Sequence, residues 1–513
     1  MALYFIDSVN GNDANDGLST EKAFLTLDKI NSISLKAGDR VLLKKECIFE
    51  GHLEINDSGE EFNPIEVAFY GKGLSKPVIK ADKDSDFAIK VTGEYVTVRG
   101  IEVTNPEGKY GIYVISELFG ATHGITIRDC YIHDVRTVNN MPPRNQGSSG
   151  WDHSHAGICV ETNKKEPTWF ENFRIENNLI ERVNRTGIWF GGQWFNRFKN
   201  SFPWATNKSV GMHDPWYPHH NVYIGHNTVD HAYGDGIIGI GCVNLLMEHN
   251  RVFYANCMSR TGACNAALWS MCCDGALIQY NEVAYTGIEY GGDGEAFDID
   301  NCSTNTTIQY NYSHDNGGGF VLICNITCNS KESHHNNIIR NNLSVNDATK
   351  QDTSLINFTG AMRDVSILNN TIYTENENRF RIVHFADHGN TGYPQNVTIA
   401  NNLVWSKHTD NWNFFEGNGV VEFRNNVWHN CQKPPCKENV IDNNLYDVNP
   451  VLQGSWVTPG SRNETKAYIP CWNSPLLRLG ENFPQCAEKD YSGIDTKGHN
   501  YIGAFYYKDA NIG

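Results

Sequence analysis

An asparagine followed by a short, mostly apolar run returns along this chain at a near-constant interval. Positions 178, 227, 250, 281, 311, 342, 370, 402, 426 and 444 carry it, and from Asn227 to Asn402 the spacings are 23, 31, 30, 31, 28 and 32. Short alternating strands precede several of them, as at Leu277–Tyr280, Thr307–Tyr310 and Val397–Ile399. Self-similarity of this kind requires stacked supersecondary units. Leucine-rich repeats would place Leu at regular offsets, and propeller blades would need longer, four-stranded units. A parallel β-helix fits both the length and the residue. Asparagine tolerates the left-handed backbone that a sharp corner between strands needs, and stacked amides can hydrogen-bond from rung to rung. The expected fold class is all-β: a single right-handed parallel β-helix.

The ends of a repeat array are atypical because they must cover its open faces. Residues 1–60 read as an N-terminal cap and first coils, with helically spaced apolar residues in 23–31. Residues 61–450 form the solenoid, and 451–513, which lose the repeat, form a tail packing back on its side. Two stretches exceed one coil, 139–155 and 191–220, and long insertions commonly build binding sites. The second holds Trp194, Phe195, Trp204, Trp216 and Tyr217. Such aromatics can stack on sugar rings or bury the loop against the solenoid.

The net charge is −17. That field repels phosphate backbones and anionic lipid, which excludes nucleic-acid and membrane partners. It also favours a neutral oligosaccharide or polysaccharide over a polyuronate, for which clustered Lys and Arg would be needed. No run of about 18 apolar residues is present. No basic segment followed by an apolar one opens the chain, which suits either a secreted protein with its leader removed or a cytoplasmic one. Of the 15 cysteines, Cys242, Cys272 and Cys302 recur at intervals of 30 and read as a buried stack of thiols. Cys431 with Cys436, and Cys257 with Cys264, are the candidate disulfides. No cysteine or histidine set has zinc spacing.

The chemistry concentrates in residues 292–300. Aligned on the strands of other coils, Phe297 and Ile299 face the core with Ile158, Val160, Ile188, Phe190, Phe320 and Leu322, so Asp298, Asp300 and Trp189 face out. Two carboxylates at i and i+2 on one face sit roughly 6.5–7 Å apart. Asp293 and Glu295 stand at the start of the same strand, and Asp235 holds the equivalent position of an earlier coil. Crowded carboxylates raise one another's pKa, which provides a protonated acid beside an ionised partner. The catalytic candidates are therefore Asp293, Asp298 and Asp300. Candidate substrate-binding residues are Trp189, Asp235, Glu295, Asp152, His153 and Trp194. The reaction calls for no metal, although clustered Asp and Asn oxygens, including those of the 12–17 loop, could hold a structural calcium. Two other readings stay open: a lyase or epimerase on an acidic glycan, and a non-catalytic glycan-binding β-helix.

The opening Val9–Gly17 stretch with Ala23–Leu27, and the closing Ile502–Phe505, resemble the cap and last strand of carbohydrate-active, pectate-lyase-like β-helix enzymes. The spacing of Asp293 and Asp300 is similar to that of the two catalytic aspartates of glycoside hydrolase family 136, the β-helix lacto-N-biosidases. That resemblance implies a retaining glycosidase with Asp293 as acid/base and Asp300 as nucleophile. Lyases of this fold typically use a Lys or Arg base, which the segment lacks.

Overall fold

The recurring asparagines are the rungs of a buried ladder. In the computed structural model, Asn342 donates from its amide to Asn370 Oδ1 at 2.9 Å. Its own Oδ1 accepts from the Asn311 amide at 3.0 Å and from the Asn311 backbone N–H at 2.9 Å. The same bond joins Asn281 to Asn311, Asn370 to Asn402, Asn402 to Asn426 and Asn426 to Asn444. Another run joins Asn178 to Asn227 and Asn227 to Asn250. The left-handed corner lies one residue earlier than the sequence suggests. Tyr280, Tyr310, Asn341, Asn369, Asn401 and Asn425 have φ between 50° and 57°. The bend at that residue turns the next side chain inward, where its amide finds buried carbonyls to satisfy.

The structure describes residues 1–136, 155–163, 165–198, 216–257, 264–288, 293–327, 330–387, 390–408, 413–434, 440–454 and 464–507. They form two compact units, one mainly from Met1–Arg197 and Ala205–Asn265, the other mainly from Ala266–Ile288 and Asp293–Gly513. Each unit is a right-handed parallel β-helix, the expected fold class, in which successive coils add short strands to three parallel sheets. In the first unit one coil runs through Thr168–Glu176, Leu179–Val183 and Thr186–Phe190. Its core holds an isoleucine stack, Ile89, Ile112, Ile158, Ile188 and Ile237, paired strand to strand.

The N-terminal cap carries a five-residue helix, Leu27–Asn31, which buries Leu27 and Ile30. The tail of the second unit packs on an outer sheet face: Ala504 and Phe505 cover Tyr312, Leu343, Val345 and Tyr373. Polar bonds hold it there, with Asn369 Nδ2 donating to Tyr501 O at 2.8 Å and Ala504 N to Thr371 Oγ1 at 2.9 Å.

Cys242, Cys272 and Cys302 are buried thiols, as their spacing suggested. The expected Cys257–Cys264 disulfide is not formed; Cys257 packs with its Sγ 3.8 Å from Ala232 O, while Cys264 is exposed. Cys436 lies outside the described residues.

Candidate active site

Six strands of the second unit form one parallel sheet: β1 (Leu268–Met271), β2 (Phe297–Asp300), β3 (Val321–Asn325), β4 (Thr353–Gly360), β5 (Phe380–Ala386) and β6 (Asn413–Gly417). Phe297 pairs with Val321, Ile356 and Val383 in turn, and Ile299 with Ile323, Phe358 and Phe385, so these residues face the core. Alternation then sets one outward row: Trp269, Asp298, Leu322, Asn357, His384 and Glu416.

The register of β3 corrects the sequence alignment by one residue. Phe320 and Leu322 were expected inside; instead Val321 and Ile323 point inward and Leu322 joins the outward row. The cause is the glycine run before the strand. Gly319 passes so close to β4 that a Cβ on it would stand 1.7 Å from Ser354 O. The strand proper therefore starts later, and Phe320 is buried at the corner, edge-on to Phe297 at 6.1 Å.

The four acids of the segment all belong to this unit. Asp298 and Asp300 extend outward from β2, the first 5% exposed and the second half-buried. Asp300 is clamped. Its Oδ1 accepts from the Asn301 backbone N–H at 2.8 Å and from the Asn301 side-chain amide. Asn301 is in turn held by the next coil, its Oδ1 accepting from Ile326 N at 2.9 Å, Thr327 N at 3.1 Å and Thr327 Oγ1 at 3.0 Å. Cys324, which follows the partner of Ile299 on β3, reports on the acids together. Burial first, then the charges of Asp300, Asp298 and Asp293, push its thiol well above the usual range.

Glu295 is 3% exposed, and its Oε1 accepts from Asn357 Nδ2 at 3.2 Å. Burial, reinforced by the neighbouring Asp293 charge, raises its carboxyl well above the ordinary glutamate range. Asn357 Oδ1 accepts from His384 Nδ1 at 3.0 Å, which requires the proton on Nδ1. Cys324, Asn301, Asn357 and His384 escape the sequence reading. The signal for Asn357 and His384 was present: each is a polar residue interrupting an otherwise apolar strand, as Asp298 does.

Of the remaining sequence candidates, Asp235, Trp189 and Trp194 belong to the first unit and are engaged within it. Asp235 is fully buried against the Arg185 guanidinium at 3.4 Å, and that guanidinium also donates to Asn265. Its charge is therefore met by an arginine about one coil earlier in the chain. Trp189 faces outward but is buried, with Nε1 donating to Glu161 Oε1 at 2.7 Å; Gln193 Nε2 serves the other Glu161 oxygen at 2.9 Å. Trp194 donates to Asn163 O at 3.0 Å and meets Tyr217 edge-on at 5.9 Å, while Tyr217 stacks on Trp169 at 5.7 Å. Trp194 is buried in this contact, while Tyr217 and Trp169 stay half-exposed. Asp152, His153 and Trp204 lie outside the described residues.

No group of three or more His, Cys, Asp or Glu suited to a metal occurs among the described residues. In the 12–17 loop the Asp13 carboxylate accepts instead from Leu25 N, Thr26 N and Thr26 Oγ1 at 2.8–3.0 Å, tying the loop to the start of the cap helix.

No family model matches the chain. A lacto-N-biosidase of Bifidobacterium longum subsp. longum is 26% identical over 598 residues, covering 98% of this chain and 36% of its own length. The chain thus spans about a third of that curated relative. Among solved structures, a family 136 lacto-N-biosidase from Eubacterium ramulus aligns with a TM-score of 0.60 at 25% identity, over 82% of this chain and 67% of that one. XylC in complex with xylose aligns at 0.55 over 99% of this chain and 98% of its own, with 12% identity, a likeness of fold alone.

Proposed function

We propose that this chain is a glycoside hydrolase that cleaves a neutral oligosaccharide using two aspartates, Asp293 as acid/base and Asp300 as nucleophile. The observation that carries this reading is the pair Asp298 and Asp300 on one outward face of β2, with Asp300 held by Asn301 and with Asp293 and Glu295 leading into the same strand. Glycoside cleavage needs one carboxyl group able to give a proton and another ionised to attack or to activate water. The clamp by Asn301 suits Asp300 to the second task, because a nucleophile must be held in line with the anomeric carbon. Asp298 shares the face with Asp300 and competes for that role. Retention of configuration is the outcome expected of the family 136 pattern. The lacto-N-biosidases to which the chain is similar make an oligosaccharide of that enzyme's type the first substrate to try.

A panel of neutral oligosaccharides incubated with the protein, with product anomers followed by NMR, tests the reading. The expected result is a released sugar that first appears with the anomeric configuration of the substrate. Ultraviolet-absorbing unsaturated product from a polyuronate, with every neutral glycan intact, would replace hydrolysis by a lyase.

The clamp gives a second expectation. Asn301→Ala should lower turnover by about 10-fold or more, since small displacements of a reacting group are costly. It should also reduce stability by about 1–3 kcal/mol through the unpaired Ile326 and Thr327 donors. Steady-state kinetics beside a thermal melt separates the two effects; unchanged turnover in the folded variant would remove Asn301 from the site.

A further inference from the structure

Three polar side chains of the catalytic sheet are bonded in series, and the aspartate mechanism uses none of them. His384 Nδ1 donates to Asn357 Oδ1 at 3.0 Å, and Asn357 Nδ2 donates to Glu295 Oε1 at 3.2 Å. The middle member is held from both sides, so its amide keeps one orientation. A side-chain amide has two N–H donors and two acceptor lone pairs. Asn357 uses one of each on these neighbours and makes no other side-chain hydrogen bond among the described residues. One donor and one acceptor therefore remain side by side, on a half-buried side chain of the outward row.

The position of Asn357 in that row limits what it can meet. Leu322 on β3 separates it from Asp298. Two strand steps put the Asn357 and Asp298 backbones about 10 Å apart. That is too far to touch a bond cut between Asp298, Asp300 and Asp293, and it is about one sugar unit further along the row. Leu322, 3% exposed, leaves an apolar stretch between the two. The Arg381 guanidinium, on the same strand as His384, is paired with Glu416. Glu295 is 3% exposed, and its Oε2 has no hydrogen-bond partner among the described residues. A buried carboxyl group with so few donors costs stability. What it supplies to the site is a fixed direction for the Asn357 amide.

We propose that Asn357 is a specificity-determining residue whose remaining N–H and lone pair take two adjacent hydroxyl groups of the neutral sugar unit next to the one being cleaved. Glu295 and His384 are the positioning residues that set its amide plane. This rests on the glycosidase reading and extends it to the length of the substrate. One sugar hydroxyl gives its proton to Oδ1, and its neighbour accepts from Nδ2. A carboxylate could only accept and an ammonium group could only donate, so the pair of contacts calls for an amide. Because the amide is already held, it loses little freedom when the sugar arrives.

Steady-state kinetics on the neutral oligosaccharides that the wild-type protein cleaves tests the proposal. Asn357→Ala should raise KM by about 10-fold or more and leave kcat within about twofold, the pattern of a contact made equally with substrate and transition state. Asn357→Thr keeps a hydroxyl to donate to Glu295, and its branched side chain suits a strand, so it should fold and show the same rise. His384→Phe removes one neighbour of the amide and should raise KM by a smaller factor. An unchanged KM in both Asn357 variants, or a fall in kcat at unchanged KM, would overturn the proposal and leave the glycosidase reading in place. A second measurement needs no turnover. Neutral tetrasaccharides built from glucose, xylose, galactose and N-acetylglucosamine are titrated calorimetrically into wild type and Asn357→Thr. At least one should bind wild type about 10-fold more tightly. Such binding without cleavage of any glycan would keep the role of Asn357 and remove the glycosidase reading. Equal affinities, or no binding to wild type, would overturn the proposal.

Discussion

Asp300→Asn is expected to reduce hydrolysis by at least about 1,000-fold while leaving the folded state intact, since removing a member of a catalytic unit forfeits most of what the unit contributes. The amide keeps the shape of the side chain and one oxygen for the Asn301 donors, so the melting temperature should change little. Asp293→Asn should cost a similar factor on natural glycans. Its loss should be much smaller on aryl glycosides, whose leaving groups depart without protonation. The same aryl substrate should not rescue Asp300→Asn. Kinetics on the two substrate types therefore assign the roles, and Asp298→Asn measured beside them settles the competition on β2. Rates close to wild type in both the Asp293 and Asp300 variants would end the two-aspartate mechanism.

The second large effect concerns the fold. Asn342→Ala should destabilise the protein by about 3–5 kcal/mol, because one truncation strands several buried groups at about 1–3 kcal/mol each. The side chain is fully buried. Its amide serves Ile308 O at 3.0 Å and Asn370 Oδ1 at 2.9 Å, and its oxygen serves both the backbone and the side chain of Asn311. Asn444→Ala should cost less, about 1–3 kcal/mol, since Asn444 is partly exposed and water can reach the groups it serves, the Asn426 backbone and side-chain N–H at 3.1 and 3.0 Å and Trp428 Nε1 at 3.2 Å. Chemical denaturation of the two variants measures the contrast. Equal, small losses would mean that the ladder is a consequence of the coil and not one of its supports.

The two kinds of prediction differ in how far the sequence supports them. The ladder was legible because a residue that must satisfy buried carbonyls once per coil has to recur once per coil. What escaped was its phase. Any residue that tolerates the left-handed corner can precede the rung, and tyrosine does so at positions 280 and 310 while asparagine does so at 341, 369, 401 and 425. The outward placement of Asp298 and Asp300 followed from period-two alternation with Phe297 and Ile299, and β2 has that alternation. The inward placement of Phe320 and Leu322 failed by the same rule, because the close approach of Gly319 to β4 delays the strand. Alternation gives faces only once a strand's starting residue is known.

By itself the sequence determined the repeat, the all-β solenoid, the buried thiols at 242, 272 and 302, and the acidic segment at 293–300, because each depends on local spacing. Only the tertiary structure decided which groups meet across coils. It placed Arg185 against Asp235, tied Glu161 to Trp189 and Gln193, set Asn301 as the clamp on Asp300, and joined Glu295 to His384 through Asn357. In a parallel β-helix, residues about one coil apart in the chain become neighbours across a strand spacing of about 4.8 Å. Coils of unequal length leave that pairing unwritten in the spacing of any one segment.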